Sequence, residues 1–353
     1  MSHFAAPVQI SRSCRPTPTK WTGALFLFLA ICGCQTPLQK VQFEHPAMGT
    51  RFRIVAYHRD MEQLHRAANR ATRTIDRIEN ICSDWKSDSE IQQLCASAPN
   101  DQPVAASREL IDVLSRGVEI SRLSDGAFDP TLGPLVRLWR RCRLAGRLPR
   151  PDELQQARQS VGIDGIAIDP AAGTLQLLRE GIMIDLGGIA KGYAVDAALK
   201  VMNAEGIEYL LVDGGGDICF SLPPPGQPGW KLEIQPAGLT ARVAGQPGIQ
   251  VILRGSGAVA TSGDASRYVE IEGRRYSHIL DPATGMGVPG PHAVTVHAHD
   301  ATTADALATA ISVLNPQQAG KLLNQFPGAS ALLFDGAGAK PRILGSFPGY
   351  RNR

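Results

Sequence analysis

The 353-residue sequence contains no hydrophobic run long enough to span a membrane and no large excess of either charge. Its apolar stretch at residues 24–32 is far shorter than the ~20 residues that a membrane-spanning helix needs. Lys and Arg number 36 and Asp and Glu 33. Because a nucleic-acid-binding surface needs a clear excess of Lys and Arg, this balance argues against a nucleic-acid-binding protein. A local basic cluster, typical of a solvated helix face, comprises Arg137, Arg140, Arg141 and Arg143.

Cysteine is also scarce after residue 34. The four cysteines that follow show no C-x-x-C spacing; they are Cys82, Cys95, Cys142 and Cys219. This argues against a C-x-x-C zinc site and a thioredoxin-like site. An oxidising compartment would allow Cys82 to pair with Cys95, and the sequence leaves that pairing open. Aromatic residues make up only 6%, whereas 36 Gly and 25 Pro predict many turns.

The N-terminus has the pattern of a bacterial export signal, in which basic residues precede a short apolar core. The core ends in Ile-Cys-Gly-Cys at residues 31–34, which resembles a lipobox. Because the small Gly33 precedes it, Cys34 is the expected lipidation site, with Cys32 the weaker candidate and an ordinary signal peptide the alternative. We predict a lipoprotein signal peptide over residues 1–33, a linker over 34–42 and one domain over 43–350.

The hydrophobic pattern predicts an α+β fold with mixed and antiparallel sheets and packed helices. Each half has helices followed by a strand and a glycine turn, a pattern compatible with an internal duplication. Helical spacing of apolar residues occurs at residues 64–78, 110–118, 190–204, 303–314 and 321–326. Strands are predicted at residues 41–57 with a break at 46–49, and at 181–185, 209–212, 230–235, 249–253, 268–271, 275–280, 293–297 and 331–334.

Asp305 and Thr309 are four residues apart on a predicted helix, so their side chains share one face. A carboxylate and a hydroxyl together suit a hard cation such as Mg²⁺, which also takes phosphate oxygens from a substrate. The structural alternative is that Asp305 interacts with the helix dipole and Thr309 bonds to a backbone carbonyl. From this pair alone the structural alternative is favoured.

A second segment, D-L-G-G-I-A-K-G-Y-A-V-D at residues 185–196, predicts a strand, a glycine turn and a helix start. Such a turn forms a backbone nest that can hold a phosphate, and Lys191 would add a positive charge. The spacing fits neither the Rossmann nor the Walker pattern. Tight packing of strand against helix explains the glycines equally well.

Two further groups of residues are candidates for catalysis and for ligand binding. His278 lies on a predicted strand just before the turn residues Asp281 and Pro282, where it is a candidate general base. A lone His is more often structural. Met48, Trp85 and the Ala-Phe-Asp segment at residues 127–129 offer a soft thioether and ring faces that would clamp a planar ring, with core packing as the alternative.

These segments together resemble the ApbE family of FAD:protein FMN transferases, long labelled thiamine-biosynthesis lipoproteins. The resemblance spans residues 43–314, and many individually weak motifs in one order make it specific. Two departures are Trp85, where Tyr is also familiar, and Asp213, where Asn is more usual. The motifs are P-A-M-G-T, S-D-S-E-I, G-A-F-D-P-T-L-G-P-L-V, D-L-G-G-I-A-K-G-Y-A-V-D, G-G-G-D-I, A-T-S-G-D, S-H-I-L-D-P-A-T-G and T-A-D-A-L-A-T.

The resemblance implies a Mg²⁺-dependent transferase that cleaves FAD, attaches FMN through a phosphoester to a Thr or Ser of a target protein, and releases AMP. It implies an acceptor within a membrane redox complex of the sodium-pumping quinone reductase or Rnf type. The enzyme would be lipid-anchored in the bacterial envelope and face the periplasm, with the inner membrane expected. The alternatives are an FAD pyrophosphatase, which uses water as the acceptor, and a non-enzymatic periplasmic flavin-binding lipoprotein.

The resemblance also assigns roles to residues. Asp305, Thr309 and a backbone oxygen at Gly188 would bind the metal. His278 would be the base for the acceptor hydroxyl and contact the cofactor, and Asp281 would shape its turn. The implied FAD contacts are Met48, Trp85, Ala127, Phe128, Asp129, Asp185 and Lys191.

Overall fold

The structure is a computed structural model that describes residues 37–236, 248–264, 267–336 and 339–350. The predicted signal peptide over residues 1–33 and the predicted lipidation site Cys34 lie outside these ranges. Within them, no helix combines the length and apolarity needed to cross a membrane. The first strand begins at Gln39, within the predicted linker over residues 34–42.

The described residues form eight α-helices and sixteen strands. The helices are α1 (Met61–Cys82), α2 (Glu90–Ala96), α3 (Arg108–Leu123), α4 (Gly133–Leu144), α5 (Pro151–Arg158), α6 (Ala190–Ala204), α7 (Ala301–Ile311) and α8 (Pro316–Leu323). The strands are β1 (Gln39–Ala47), β2 (Thr50–His58), β3 (Val104–Ala105), β4 (Ile166–Asp169), β5 (Thr174–Leu177), β6 (Tyr209–Gly214), β7 (Ile218–Phe220), β8 (Trp230–Ile234), β9 (Ile249–Leu253), β10 (Gly257–Gly263), β11 (Tyr268–Ile271), β12 (Arg274–Asp281), β13 (Met286–Pro289), β14 (His292–Ala298), β15 (Ser330–Asp335) and β16 (Arg342–Leu344).

Eight strands form the central sheet, in the order β1-β2-β6-β7-β10-β14-β15-β16. Three smaller sheets have the orders β11-β12-β13, β3-β5-β4 and β8-β9. All of these neighbours pair antiparallel. In the described ranges the one parallel pairing is an isolated bridge between Leu132 and Met183. The predicted α+β class is therefore confirmed, with antiparallel rather than mixed sheets.

The helices α1, α6 and α7 pack together against one face of the central sheet and enclose the main core. Helix α1 buries the apolar stripe predicted from its spacing, which includes Leu64, Ala71 and Ile78. The β8–β9 hairpin covers the other face of the sheet, where Trp230 and Leu253 join Phe334 in a second apolar cluster. Both faces of the sheet are thus buried, and α6 and α7 lie on one of them.

Helices α6 and α7 approach each other most closely at Gly192. A Cβ atom at this position would lie 2.2 Å from the carbonyl oxygen of Ala301. The carboxylate of Asp196, one turn further along α6, accepts hydrogen bonds from the backbone N–H groups of Ala301 and Thr302, each at 2.8 Å. Because these N–H groups have no partner inside α7, a side chain of α6 caps the start of α7.

One predicted strand is not formed, and β10 is among the observed strands that the sequence pattern does not predict. Residues 181–185 were predicted as a strand, but apart from the bridge at Met183 they run as an irregular segment. The strand β10 was missed because its residues, G-A-V-A-T-S-G, are mostly small and show little alternation. Strands β7 and β14 flank β10, and four of its residues are buried in succession. A strand enclosed in this way needs no alternating pattern.

The cysteine pairing that the sequence left open is not formed. Cys82, Cys95, Cys142 and Cys219 are all free thiols. The Cys95 sulfur instead accepts a hydrogen bond from the backbone N–H of Ile184 at 3.3 Å. Burial raises the pKa of the Cys82 thiol to about 12, so it stays protonated at neutral pH.

The contact at Gly192 predicts a sharp difference between two glycine-to-alanine substitutions. Gly192→Ala forces α6 and α7 apart, and we expect a loss of about 1–3 kcal/mol in the free energy of unfolding. The matched control is Gly320→Ala in α8, where the new Cβ meets no atom within 4 Å and the higher helix propensity of Ala stabilises by up to about 1 kcal/mol. Urea unfolding measures both, and equal effects would contradict the close approach.

Candidate active site

The crossing of α6 and α7 brings one ammonium group between two buried carboxylates. The Asp305 side chain is 3% exposed, accepts the Gly192 N–H at 3.2 Å, and lies 3.7 Å from Lys191 Nζ. Lys191 also forms an ion pair with Asp217, which follows the three glycines at residues 214–216 and is 2% exposed. Lys191, Asp217 and Asp305 are called the charge cluster below. Asp217 was not singled out from the sequence, although the G-G-G-D motif contains it.

The charge cluster carries two carboxylates for one ammonium. Burial raises the pKa of Asp305, and Lys191 opposes this rise only in part. Burial and then the charge of Asp305 raise the pKa of Asp217 to about 7. Burial alone would lower the pKa of Lys191, but Asp217 and Asp305 together outweigh it and raise the pKa. Lys191 therefore stays charged and balances one carboxylate, while the second takes up either a proton or an added cation near neutral pH.

Oxygen atoms converge beside the charge cluster. Thr309 lies one turn after Asp305 on α7, and a Cβ atom on Gly188 would be only 2.9 Å from Thr309 Oγ1. Ser262 Oγ at the end of β10 is 3.4 Å from the same hydroxyl. A carboxylate, hydroxyls and a backbone carbonyl in a negatively charged surrounding fit a hard ion such as Mg²⁺. No group of three His, Cys, Asp or Glu side chains in the described ranges is arranged to hold a metal, so the candidate set depends on Thr309 and the backbone.

The segment at residues 127–129 lies directly against this oxygen set. A Cβ atom on Gly188 would be 3.2 Å from the Phe128 ring, which is largely buried. The Asp129 carboxylate accepts hydrogen bonds from Thr131 N at 2.7 Å and Thr131 Oγ1 at 2.6 Å. Burial raises the pKa of Asp129, and the bonds from Thr131 oppose that rise. In this structure Asp129 therefore shapes the turn that positions Ala127 and Phe128.

Arg140 joins two of the predicted flavin contacts. Its guanidinium lies 2.6 Å from Asp84 and 3.8 Å from Asp185, and stacks 4.2 Å from the centroid of the Trp85 ring. Trp85 is 77% exposed, so one ring face remains open to a ligand. The basic cluster was predicted to be a solvated helix face. This is wrong for Arg140, because its neighbours hold it at the site.

Asp185 is held by the glycine turn. Its carboxylate accepts the Gly187 N–H at 2.8 Å, and its own N–H donates to the Pro130 carbonyl at 2.8 Å. Burial, and then the charge of Asp84, raise the pKa of Asp185. These bonds fix the turn that presents Gly188 to Thr309, so the flavin contacts and the oxygen set belong to one continuous site.

Met48 lies in a tight turn between β1 and β2. Met48 and Gly49 both have positive φ angles, 52° and 68°. The Met48 N–H donates to the Glu79 carboxylate at 2.8 Å, and Lys86 binds the other oxygen of that carboxylate at 2.9 Å. Glu79 therefore holds the turn and its half-buried Met48 side chain in place.

His278 lies on β12, apart from the charge cluster. The backbone N–H of His278 donates to the backbone carbonyl of Arg267 at 3.0 Å. The Nδ1 atom of the His278 ring is buried without a hydrogen-bond partner among the described residues. Burial, and then the positive charges of Arg267 and Arg143, lower the pKa of His278 to about 4. The imidazole is therefore neutral at pH 7 and able to accept a proton. Asp281 accepts the Ala283 N–H at 2.9 Å, which confirms its predicted role in the turn.

The structure brings most of the sequence-predicted residues together. Direct contacts join Phe128, Gly188 and Thr309, and Lys191 with Asp305, while Arg140 links Trp85 to Asp185. No direct contact joins His278 to either group within the described part of the chain. Arg267, which was not predicted, lies close enough to influence both His278 and Lys191.

Comparison with known proteins gives a consistent result. The family model described as the ApbE family matches residues 48–334. The FAD:protein FMN transferases of Vibrio cholerae and Treponema pallidum are each 32% identical to this chain, covering 84% and 85% of it and 88% and 86% of their own lengths. The solved structure of the flavin transferase ApbE from Vibrio cholerae matches with a TM-score of 0.73 and 27% identity, covering 87% of this chain and 97% of that one. The ApbE protein from Thermotoga maritima matches at 0.71 and 33%, covering 84% and 94%.

The burial of His278 predicts a pKa well below that of an exposed histidine. Its pKa of about 4 lies below the 6.5 of an unperturbed ring, so between these pH values the unfolded chain binds a proton that the folded chain does not. The free energy of unfolding therefore falls as pH drops from 6.5 towards 4. NMR of histidine-labelled protein should show a ring signal, absent in His278→Gln, that titrates near pH 4.

Burial also lowers the pKa values of His292 and His297, so these residues add to the pH dependence of the free energy of unfolding. The contribution of His278 is therefore obtained by subtracting the curve of the His278→Gln variant from that of the wild-type protein. A midpoint for the His278 signal near 6.5 would contradict the buried, neutral ring.

Proposed function

The chain belongs to the ApbE family, and on that premise we propose that it carries out the reaction implied by its sequence motifs. It is an FAD:protein FMN transferase, like relatives that are 32% identical to it over most of its length. In the proposed reaction FAD is cleaved, FMN is attached through a phosphoester to a Thr or Ser of an acceptor protein, and AMP is released. The observation that carries the proposal is the negatively charged oxygen set beside Lys191 and the glycine turn.

Mg²⁺ is the proposed metal, with Asp305, Thr309 and the backbone carbonyl of Gly188 as the residues that would hold it. Its hard-oxygen preference fits these donors, and the excess carboxylate charge of the cluster favours a cation. When bound, Mg²⁺ supplies charge neutralisation for the pyrophosphate and for the departing AMP. Lys191 holds Asp305 and Asp217 in place and adds a fixed positive charge beside the phosphates.

FAD is the proposed substrate of the pocket between the glycine turn and Trp85. The open face of the Trp85 ring offers an apolar surface for a planar group. Phe128 is largely buried and supports the neighbouring turn, while Met48 and Ala127, both partly buried against the core, are the other proposed contacts. Asp185 and Asp129 fix the two turns that frame the pocket. The pyrophosphate is then expected near Lys191, where the backbone of the glycine turn meets the start of α6.

His278 is the proposed base for the acceptor hydroxyl. Its ring is neutral at pH 7, and so it can accept the hydroxyl proton while the hydroxyl oxygen forms a bond to the phosphorus of the FMN half. The bond from that phosphorus to the bridging oxygen breaks, and AMP leaves with that oxygen. The atoms balance, because FMN gains the acceptor oxygen and AMP retains the bridging one.

The proposed setting is the bacterial envelope, where lipid on Cys34 would anchor the enzyme to the inner membrane, facing the periplasm. The export pattern of residues 1–34 supports this setting. A membrane-tethered flavin transferase suits an acceptor Thr or Ser in a membrane redox complex of the sodium-pumping quinone reductase or Rnf type, which we propose as the partner.

The direct test of the proposed function is the fate of the FMN group. With FAD, Mg²⁺ and a protein domain bearing an acceptor Thr, we expect mass spectrometry to show a covalent FMN adduct and an equal amount of AMP. Asp305→Ala should abolish the adduct, because it removes a buried charge that the neighbours cannot replace. Asp101→Ala is the matched control, since Asp101 is exposed. Free FMN without adduct would indicate the FAD pyrophosphatase, and unchanged FAD the flavin-binding lipoprotein.

His278→Ala separates proton transfer from substrate binding. We expect it to retain FAD affinity and to slow FMN transfer by about 10²–10⁴-fold, the usual contribution of a general base. Rapid-quench measurement of adduct formation and fluorescence titration with FAD give the two quantities. His299→Ala is the control, because His299 is exposed. An unchanged transfer rate in His278→Ala would remove His278 from the mechanism.

A further inference from the structure

Two arginines flank His278 on different structural elements. Tyr268 pairs with Ser277 in the β11–β12 ladder, so Arg267 lies directly opposite His278, and its carbonyl accepts the His278 N–H at 3.0 Å. Side chains at opposite positions of an antiparallel pair point to the same face and start about 5 Å apart. The Arg267 side chain therefore leaves the sheet on the same face as the His278 ring.

The second arginine, Arg143, comes from α4. Trp139 on this helix donates its indole N–H to the Ser277 carbonyl at 3.1 Å, which holds α4 against β12 next to His278. Arg143 is four residues after Trp139 and so lies on the same face of α4. The positive charge of each arginine lowers the pKa of His278, which agrees with their positions on either side of the ring.

Neither arginine has an acidic partner among the residues that the structure describes. Nearby arginines do: Arg140 pairs with Asp84 at 2.6 Å, and Arg275 pairs with the fully buried Asp264 at 2.7 Å. Arg143 is partly buried, and its pKa is lowered by burial and then by Arg140 and Arg267. Arg267 is exposed, so a ligand can reach it. Two arginines beside one ring, without an acidic partner among the described residues, favour a bound anion.

The position of both arginines beside His278 indicates which anion this is. Arg267 is opposite His278 in the β11–β12 ladder, and α4 is held against β12 next to the same residue. In the proposed reaction His278 takes the proton of the hydroxyl that attacks phosphorus. The phosphate that is transferred must therefore lie beside this ring.

We propose that Arg143 and Arg267 form an anion clamp that binds the transferred phosphate of the flavin nucleotide beside His278. This inference rests on the proposed function. As the acceptor oxygen bonds to phosphorus and the bond to the AMP oxygen breaks, the guanidinium groups donate charge-assisted hydrogen bonds to the non-bridging oxygens. They stabilise the charge on those oxygens, while the hydroxyl proton passes to His278.

The test compares ligands that differ only in this phosphate. For Arg267→Ala and Arg143→Ala we expect FMN affinity to fall about 10- to 100-fold, the range for one charged hydrogen-bonding group, with riboflavin affinity unchanged. Flavin fluorescence titration measures both ligands without requiring turnover. Arg267→Lys should restore part of the FMN affinity. The controls are Arg274→Ala on β12 and Arg141→Ala on α4, both exposed, which should leave both affinities unchanged.

Transfer kinetics separate the clamp from other roles. We expect the clamp variants to lower kcat with an unchanged KM for the acceptor domain. Equal losses of FMN and riboflavin affinity would show a structural role and overturn the clamp. A rise confined to the acceptor KM would show that the arginines bind an acidic group of the acceptor instead, which also overturns it. Absence of any flavin binding by the wild-type protein would refute the proposed function itself.

Discussion

The site depends on the contact between α6 and α7 at Gly192, where the backbones touch because there is no room for a side chain. This contact brings Asp305 from α7 onto the N–H of Gly192 and next to Lys191. Asp196 then caps the start of α7 and fixes the helix along its axis. A wider spacing would separate Asp305 from Lys191, and Thr309 from Gly188. The absence of a side chain at Gly192 thus determines the geometry of the charge cluster.

Burial of charge is the second constraint. Two carboxylates and one ammonium are held close together, and burial raises the pKa of both carboxyl groups, so a proton or a bound cation must balance the second carboxylate near neutral pH. Arg143 and Arg267 act on the neutral His278 and have no acidic partner in the described ranges. The proposed reaction uses both features, the first for a metal and the second for the transferred phosphate.

Much of the fold followed from the hydrophobic pattern, and the exceptions have clear causes. The helix predicted at residues 190–204 and the strand at 249–253 have the observed bounds, because glycines precede and follow each segment in the sequence. The helix predicted at residues 303–314 begins earlier, at Ala301, because Asp300 caps its first turn and Asp196 from another helix binds two further free N–H groups. The strand β10 was missed because small residues buried on both sides carry no alternation. Its end nevertheless supplies Ser262 to the oxygen set.

The sequence by itself determined the family resemblance, the α+β class and the oxygen-bearing and aromatic residue types of the site, because these depend on local order and composition. Only the tertiary structure decided which charges meet. Asp217 and Lys191 are 26 positions apart and Lys191 and Asp305 are separated by more than a hundred, yet each pair is in contact. Arg140, expected in solvent, lies between Asp84 and Asp185. Such pairings depend on how helices cross and strands align, and no local pattern encodes them.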